Sequence, residues 1–322
     1  MISLLSTLII TLNTFSNLNI PYLFHHYQND YSKQYSIDEY NHRYENFANN
    51  VKHIFELHEK HPTYKIGLNE YSDLSFEEFR RTHNNTNQYH LYSSPCSTTD
   101  YATGLNVPDS IDWREQNAVT PVKNQGQCGS CWAFSTTGAV EGAYAISTGE
   151  LVSLSEQELV DCSTTYGNNG CNGGSMDNGF MFSQDNGLCK EESYPYTGED
   201  GSCKTCTPVV KISSCSNVEQ QNEQALIEAV AQRPVSVAIE ADTQVFQLYS
   251  GGVLTSKMCG TNLDHGVLIV GYGEEDDVPY WLVKNSWGAN WGENGYVKIA
   301  RSNSTNGDGV CGIAMMPSYP VV

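Results

Sequence analysis

Cys131 is the residue best placed for nucleophilic chemistry, because it begins an apolar segment directly after Gly129 and Ser130. We expect residues 131–146 to form a largely buried helix whose only charge is Glu141. Ser130 would cap that helix, so the sulfur would lie at the positive end of the helix dipole. A thiol attacks a carbonyl as the thiolate, and an ordinary cysteine has a pKa of about 8.5. The dipole contributes at most about 2 kcal/mol, so an efficient thiolate also needs a neighbouring cation.

His265 is the candidate for that cation. It is the single histidine after residue 107, because the other eight of the nine histidines precede residue 91. A lone histidine is often a hydrogen-bonded core residue. If the chain performs Cys–His chemistry, however, His265 must be the partner of Cys131.

The sequence Cys128-Gly-Ser-Cys131 has two other interpretations. A thiol–disulfide oxidoreductase uses a C-x-x-C sequence, but its tryptophan precedes the first cysteine and here Trp132 follows the second. A zinc site could combine this sequence with Cys203-x-x-Cys206. In a secreted chain disulfides would compete for these cysteines, and a metal would quench the nucleophile.

The segments Asn124–Trp132, Leu263–Gly266 and Asn285–Gly288 resemble the active-site segments of papain and the cathepsins. That family carries a Cys-Gly-Ser-Cys-Trp sequence, with a histidine and an asparagine roughly 130–150 residues downstream. His265 lies in that interval and Asn285 just beyond it. The resemblance covers nearly the whole chain after residue 16.

The resemblance implies a papain-like α+β fold with a helical lobe, a β-barrel lobe and the active site in the cleft between them. It implies a cysteine endopeptidase in which Cys131 is the nucleophile and needs neither metal nor organic cofactor. Gln125 and the backbone N–H of Cys131 would bind the oxyanion, Asn285 would orient His265, and Trp287 would shield that bond. An alternative from another class is a binding or inhibitor protein on an inactive protease scaffold, which should lack part of this set.

Substrate-binding positions also follow from the resemblance. Gly173 and Gly174 would lie beside an extended substrate backbone, which can approach them closely because no side chain intervenes. The pocket for the residue on the amino-terminal side of the cleaved residue would be apolar, and is formed by Met176, Ala238, Leu263 and Met316. An endopeptidase is favoured because the chain lacks a His-His occluding insertion like that of cathepsin B.

The cysteines fit an oxidising compartment, since eleven is a high number for a cytosolic protein. The resemblance implies the pairs Cys128–Cys171, Cys162–Cys203 and Cys259–Cys311. Apart from Cys131, residues 107–322 hold nine cysteines, so at least one cannot pair within them. We expect a Cys189–Cys206 pair, with Cys215 unpaired and Cys96 lost on maturation.

The elements that must position these residues change along the chain. Ser155 and Glu158 form a capping-box pair that opens a second helix, and residues 223–232 predict a third. After Arg233 the pattern is typical of strands, at residues 234–241, 265–273, 280–287 and 296–300. The region from residue 107 therefore predicts a helical half followed by a β half.

The N-terminal third predicts an inhibitory propeptide. A helix face resembles the interspersed motif of cathepsin L-type propeptides, and consists of Glu39, Arg43, Phe47, Asn50 and Ile54. His58 replaces an asparagine of that motif, and we predict that it is buried and neutral. Gly67–Asp73 resembles the second propeptide motif, with Tyr71 in place of phenylalanine. The predicted domains are a signal peptide (1–16), a propeptide (17–106) that crosses the cleft in the non-productive direction, and the peptidase (107–322).

The net charge of the chain restricts the kinds of molecule that it can bind. With 17 basic and 37 acidic residues, the net charge of −20 argues against nucleic acid and anionic membranes. We expect a monomer without a membrane span, which acts on protein and peptide substrates and is inhibited by its own propeptide. Asn84 and Asn303 begin glycosylation sequons, used only in the secretory pathway, where the destination is a lysosome-like acidic vesicle or the exterior.

Overall fold

The computed structural model describes residues 18–57, 63–83, 94–98, 107–255 and 259–322. The predicted signal peptide, His58, Asn84 and the last residue of the predicted propeptide, Asn106, lie outside these residues. None of the helices in the described part is both long and apolar enough to cross a membrane. The fold has an N-terminal helical region, a helical lobe and a sheet-rich lobe, in that order along the chain.

The α-helices in the described part alternate with loops in the first two regions and are sparse in the third. They are Ile20–Asp30 (α1), Ile37–Leu57 (α2), Phe76–His83 (α3), Cys131–Thr148 (α4), Glu156–Cys162 (α5), Met176–Asn186 (α6), Glu223–Val230 (α7) and Gln244–Leu248 (α8). Three short 3₁₀ turns accompany them, at Thr164–Tyr166, Gly170–Asn172 and Val310–Gly312.

The strands in the described part form one sheet. They are Tyr64–Ile66 (β1), Ser97–Thr98 (β2), Ile111–Asp112 (β3), Ser214–Asn217 (β4), Val235–Ile239 (β5), Tyr249–Leu254 (β6), His265–Glu275 (β7), Val278–Lys284 (β8), Tyr296–Ala300 (β9) and Ser318–Val321 (β10). The order is β1-β6-β9-β8-β7-β5-β10-β4-β2, with β3 paired to β7. The α+β expectation is confirmed, but this order has two ends, so the sheet is open where a closed barrel was expected.

Helix α4 connects the two lobes. Gly149 ends it with a left-handed φ of 81°, and its N–H donates to the carbonyl of Ala145. A Cβ on Gly138 would come within 2.8 Å of Leu268, so this glycine allows the helix to approach β7 closely. The Ser135 hydroxyl donates to the Val267 carbonyl over 2.7 Å and fixes that approach.

The predicted propeptide helix face is largely confirmed in α2, where Phe47, Asn50 and Ile54 are buried. The Asn50 amide donates to the carbonyls of Ser72 and Leu74 at 2.9 and 2.8 Å, which joins α2 to the second propeptide motif.

Glu39 and Arg43 could have formed an ion pair within this face. Each of them contacts another residue instead. Arg43 lies 3.2 Å from Glu78 of α3, whereas the Glu39 carboxylate accepts from the hydroxyl and N–H of Ser36. Glu39 serves as the capping-box partner of Ser36, because Ser36 directly precedes α2. The Glu39 carboxylate is therefore used at the start of α2 rather than in an ion pair with Arg43.

All eleven cysteines lie in the described residues, and ten of them form five disulfides. The structure contains the three pairs implied by the family resemblance, and also Cys189–Cys206. The expectation that Cys215 is unpaired is wrong, because it is bonded to Cys96. The odd cysteine of the peptidase region thus pairs with the propeptide.

Candidate active site

The first residue of α4 and the first residue of β7 meet between the two lobes. Cys131 is fully buried, and its sulfur lies 3.4 Å from the backbone nitrogen of Gly266, which donates to it. Gly266 directly follows His265, so the helix and the strand bring the two sequence-predicted reactive residues to one place. The predicted helix start at Cys131 is confirmed.

The imidazole of His265 is positioned by contacts with Asn285 and Trp287. Its Nε2 lies 2.8 Å from Oδ1 of Asn285, and the indole of Trp287 packs against the ring with centroids 4.7 Å apart. Because the asparagine oxygen can only accept, Nε2 carries the proton in the neutral tautomer. Within the described residues Nδ1 has no hydrogen-bond partner although it is buried, so it is the basic nitrogen.

The protonation state of His265 depends on its burial. Burial lowers the pKa of the imidazole to about 4, and the bond to Asn285 opposes this shift. With the Cys131 sulfur protonated, the ring is therefore neutral at pH 7. An ionised sulfur beside the ring would favour the imidazolium, because an opposite charge stabilises the charged form.

The expected oxyanion residue, Gln125, is fixed beside Cys131. Its side-chain nitrogen donates to the Cys128 carbonyl at 3.0 Å, and its side-chain oxygen accepts from the Ser286 hydroxyl at 2.6 Å. The side chain is fully buried. Because the amide nitrogen carries two protons, one remains for an oxyanion.

Ser130 occupies the N-cap position but does not cap α4 with its side chain. Its hydroxyl lies 2.6 Å from the hydroxyl of Tyr196, which also donates to the Gln125 carbonyl at 2.8 Å. Tyr196 therefore fixes both the start of α4 and the loop that contains Gln125. Sequence reasoning missed it, since a single tyrosine far from the motifs carries no signal.

The predicted substrate-binding glycines have backbone and packing reasons to be glycine. Gly173 has φ 108°, a conformation that other residues rarely adopt. A Cβ on Gly174 would come within 2.7 Å of the ring of Trp132, the residue after Cys131. A side chain is therefore disfavoured at both positions.

The four residues of the predicted pocket belong to one hydrophobic cluster. Met176, Ala238 and Leu263 are buried in it, and the partly exposed Met316 packs against it. The cluster also contains Trp132, which directly follows Cys131 in the chain. The structure thus places the four predicted pocket residues in or against the same hydrophobic cluster as Trp132.

The propeptide covers the indole that shields His265. Tyr71 donates its hydroxyl to the Trp287 carbonyl at 3.1 Å, and the rings of Tyr71 and Phe79 make edge contacts with the indole. The Asn69 amide donates to the Gln247 carbonyl at 2.7 Å. Strand β1 of the propeptide also pairs antiparallel with β6 of the peptidase region.

The cysteines that supported other interpretations are engaged elsewhere. Cys128 is bonded to Cys171 rather than poised for exchange with Cys131, which removes the oxidoreductase interpretation. Cys203 and Cys206 are bonded to different partners, so they offer no thiolates to zinc. The same holds for a cluster of Glu158, Cys189 and Cys206, whose two sulfurs form a disulfide.

Comparisons with known proteins cover most of the chain. Residues 107–321 match the papain family of cysteine proteases, and residues 24–79 match the cathepsin propeptide inhibitor domain. The thiol protease SEN102 of Hemerocallis sp. is 50% identical over 296 residues, which are 88% of this chain and 81% of that protein. The KDEL-tailed cysteine endopeptidase CEP2 of Arabidopsis thaliana is 46% identical, with 93% of this chain and 85% of that protein covered.

Solved proforms share the fold. The ragweed pollen allergen Amb a 11, a cysteine protease crystallised in its proform, has a TM-score of 0.86 and 40% identity, with 94% of each chain covered. The recombinant stem bromelain precursor has a TM-score of 0.87 and 38% identity, covering 94% of this chain and 99% of that one.

Proposed function

This chain belongs to the papain family of cysteine endopeptidases and has a propeptide inhibitor domain, and we propose that its hydrolysis is performed by Cys131, His265, Asn285 and Gln125. The observation that carries this assignment is the meeting of α4 and β7. It places the Cys131 sulfur 3.4 Å from the nitrogen of Gly266, while Asn285 holds the far side of the adjacent ring.

The reaction begins with proton transfer from the Cys131 sulfur to Nδ1 of His265. The thiolate attacks the scissile carbonyl carbon, and the resulting oxyanion accepts from the Gln125 amide and the backbone N–H of Cys131. The imidazolium then protonates the leaving amine, and a thioester forms. His265 next removes a proton from water, which hydrolyses the thioester and regenerates the thiol. Asn285 keeps the ring in the tautomer that these steps require.

An irreversible epoxide or vinyl-sulfone probe tests this assignment in the activated enzyme. We expect one probe molecule per chain on Cys131, and no labelling of the Cys131→Ala variant. Labelling that persists in Cys131→Ala would show that the nucleophile is another residue.

We expect the apolar pocket to select Leu, Phe or Val on the amino-terminal side of the cleaved residue. Arginine should be poor there, because burial of a guanidinium without a partner is costly. Met316 is the partly exposed member of the pocket, so a carboxylate introduced by Met316→Glu can reach an arginine substrate. We expect kcat/KM for arginine peptides to rise about 10-fold or more in this variant. Equal turnover of arginine and leucine peptides by the unmodified enzyme would contradict the assigned pocket.

The proposed chain organisation is a signal peptide of residues 1–16, a propeptide of residues 17–106 and a peptidase of residues 107–322. Processing near the bond between Asn106 and Val107 would release the mature enzyme as a monomer. Five disulfides fit folding in the secretory pathway. Within that pathway we propose a lysosome-like vesicle or the exterior as destination, with glycosylation at Asn84 and Asn303. The Asn303 side chain is exposed, as an acceptor requires.

A further inference from the structure

A disulfide joins the two sides of the proposed processing site. Cys96 lies in the propeptide and Cys215 in the peptidase region, 119 residues further along the chain. Cys96 is the propeptide's single cysteine, so this is the one disulfide that can link the two regions. Hydrolysis of peptide bonds on either side of Cys96 leaves the S–S bond intact.

The residues around Cys96 also form a strand of the peptidase sheet. Ser97 and Thr98 in β2 pair in parallel with Ser216 and Asn217 in β4. Strand β4 pairs with β10 on its other side, so β2 covers an edge that its loss would expose. This segment therefore completes the sheet at its end, beyond β4.

Side chains on both partners reinforce the strand pairing. The Asn217 amide donates to the Cys96 carbonyl at 3.1 Å, and the Ser97 hydroxyl donates to the Cys215 carbonyl at 3.1 Å. The Ser94 hydroxyl donates to the carboxylate of Asp177, which lies next to Met176 of the proposed pocket. Residues 94–97 therefore make polar contacts with two elements of the peptidase region, β4 and α6.

The disulfide itself is buried in the hydrophobic cluster of the proposed pocket. Cys96 and Cys215 are only 6% and 3% exposed, so reductants have little access to the bond in the folded protein. The same cluster contains Met176, Ala238 and Leu263. In its packing, the Cys96 segment is thus part of the peptidase region rather than of the detachable inhibitor.

We propose that maturation leaves a peptide containing residues 94–98 attached to the peptidase through Cys96–Cys215, so that the active enzyme consists of two disulfide-linked chains. This inference rests on the proposed processing near Asn106–Val107 together with a second cleavage before Ser94. Hydrolysis of these two peptide bonds creates the amino termini of the retained peptide and of the mature chain. The disulfide is already present before cleavage, so no redox step is needed to form the two-chain enzyme. The peptide is released only when an external reductant converts the disulfide into two thiols.

The peptide also stabilises the mature domain. Cys96→Ser removes the bond while the zymogen can still fold with β2 in place, and its processed enzyme can then lose the peptide. We expect the melting temperature of that mature enzyme to fall by roughly 5–10 °C. The matched control is Ser97→Ala, which keeps the disulfide and loses the hydroxyl contacts with the Cys215 carbonyl and the Ser216 hydroxyl.

The direct test is intact mass analysis of the enzyme after the full-length zymogen has processed itself. Without reductant we expect the mature chain plus a peptide that contains Cys96, and two amino termini by sequencing. A phosphine added under denaturing conditions should remove the peptide, and Ser97→Ala should behave in the same way. In Cys96→Ser the added mass should be absent.

Two other results would distinguish a failure of the two-chain enzyme from a failure of the proposed processing site. A mature chain that begins near Val107 without added mass would overturn the two-chain enzyme and leave the processing site intact. A single amino terminus before Cys96 would overturn both the two-chain enzyme and the proposed boundary. The labelling of Cys131 is independent of either result.

Discussion

The propeptide helices and the peptidase region are built from different interactions. Residues 18–83 contain no cysteine, and they dock through the bond from Tyr71 to Trp287, the bond from Asn69 to Gln247 and the pairing of β1 with β6. The peptidase region contains four disulfides of its own. The first region is thus held by contacts that can be released without breaking covalent bonds, as an inhibitor that must leave requires.

Two carboxyl groups, Glu78 in the propeptide and Asp264 in the peptidase region, respond to acid in opposite directions. In the propeptide, burial raises the pKa of Glu78, but hydrogen bonds from Ser75 and His42 and the charge of Arg43 outweigh it, so the net pKa is lowered. A carboxylate with a lowered pKa stabilises the fold above the unfolded value of about 4.3. That stability is lost as the pH falls through the folded pKa.

In the peptidase region, burial and the neighbouring charge of Asp242 raise the pKa of Asp264 to about 8, against hydrogen bonds from the backbone of Ala241 and Asp242. A raised carboxyl pKa gives stability that is complete below the unfolded value of about 3.9 and decreases as the pH rises to about 8. Acidification therefore removes the stabilising contribution of Glu78 in the propeptide and increases that of Asp264 in the peptidase region.

The largest effect should come from Cys131→Ala, which removes the proposed nucleophile and leaves both regions folded. We expect the rate of peptide hydrolysis by the processed enzyme to fall by about 10⁴-fold or more. The comparison variant is Cys128→Ala, which loses a disulfide and should destabilise the peptidase region by about 2–5 kcal/mol. Hydrolysis rates and thermal melts distinguish the two. A well-folded but inactive Cys128→Ala would show that the nucleophile was assigned to the wrong cysteine.

A smaller effect, confined to the docking of the inhibitor, is expected from Tyr71. Tyr71→Ala removes a buried ring against Trp287, which costs about 3–5 kcal/mol, so the open zymogen should become roughly 100- to 5,000-fold more populated. Tyr71→Phe loses only a hydrogen bond of about 1 kcal/mol, or about 5-fold. The activity of the unprocessed zymogen measures both. Tyr22→Ala, at a residue that is 53% exposed, is the control and should change little.

The smallest effect concerns the acid response of the inhibitor. Glu78→Gln removes the carboxylate that loses its stabilising charge in acid, so the melting temperature of a Cys131→Ala zymogen should fall less steeply below about pH 4.3. Glu77 is the exposed neighbour, and Glu77→Gln should leave the profile as it is. Superimposable profiles for Glu78→Gln and the parent zymogen would remove Glu78 from the acid response.

The sequence predicts the reactive residues directly, because their chemistry restricts both residue type and position. A Cys–His pair needs a cysteine at a helix start and a histidine, and His265 is the single histidine after residue 107. The bond from Asn285 and the packing of Trp287 then followed from matching family segments, and the structure has both contacts.

The sequence could not assign the partner of Cys215. The odd number of cysteines in the peptidase region, apart from Cys131, shows that one of them cannot pair there, but it does not identify which one. The pairing with Cys96 depends on strand β2 reaching β4 from 119 residues away, which no local pattern encodes. The Ser130 hydroxyl was likewise assigned to capping, since its contact with Tyr196 is visible only in three dimensions.

The central claim is that Cys131 ionises because His265 lies beside it, and the pH dependence of its alkylation by iodoacetamide tests this most directly. In the activated enzyme we predict a half-maximal rate well below the ordinary cysteine pKa of about 8.5. In His265→Ala the midpoint should move upward toward that value. A midpoint near 8.5 in the unmodified enzyme, or one that His265→Ala does not change, would contradict the account.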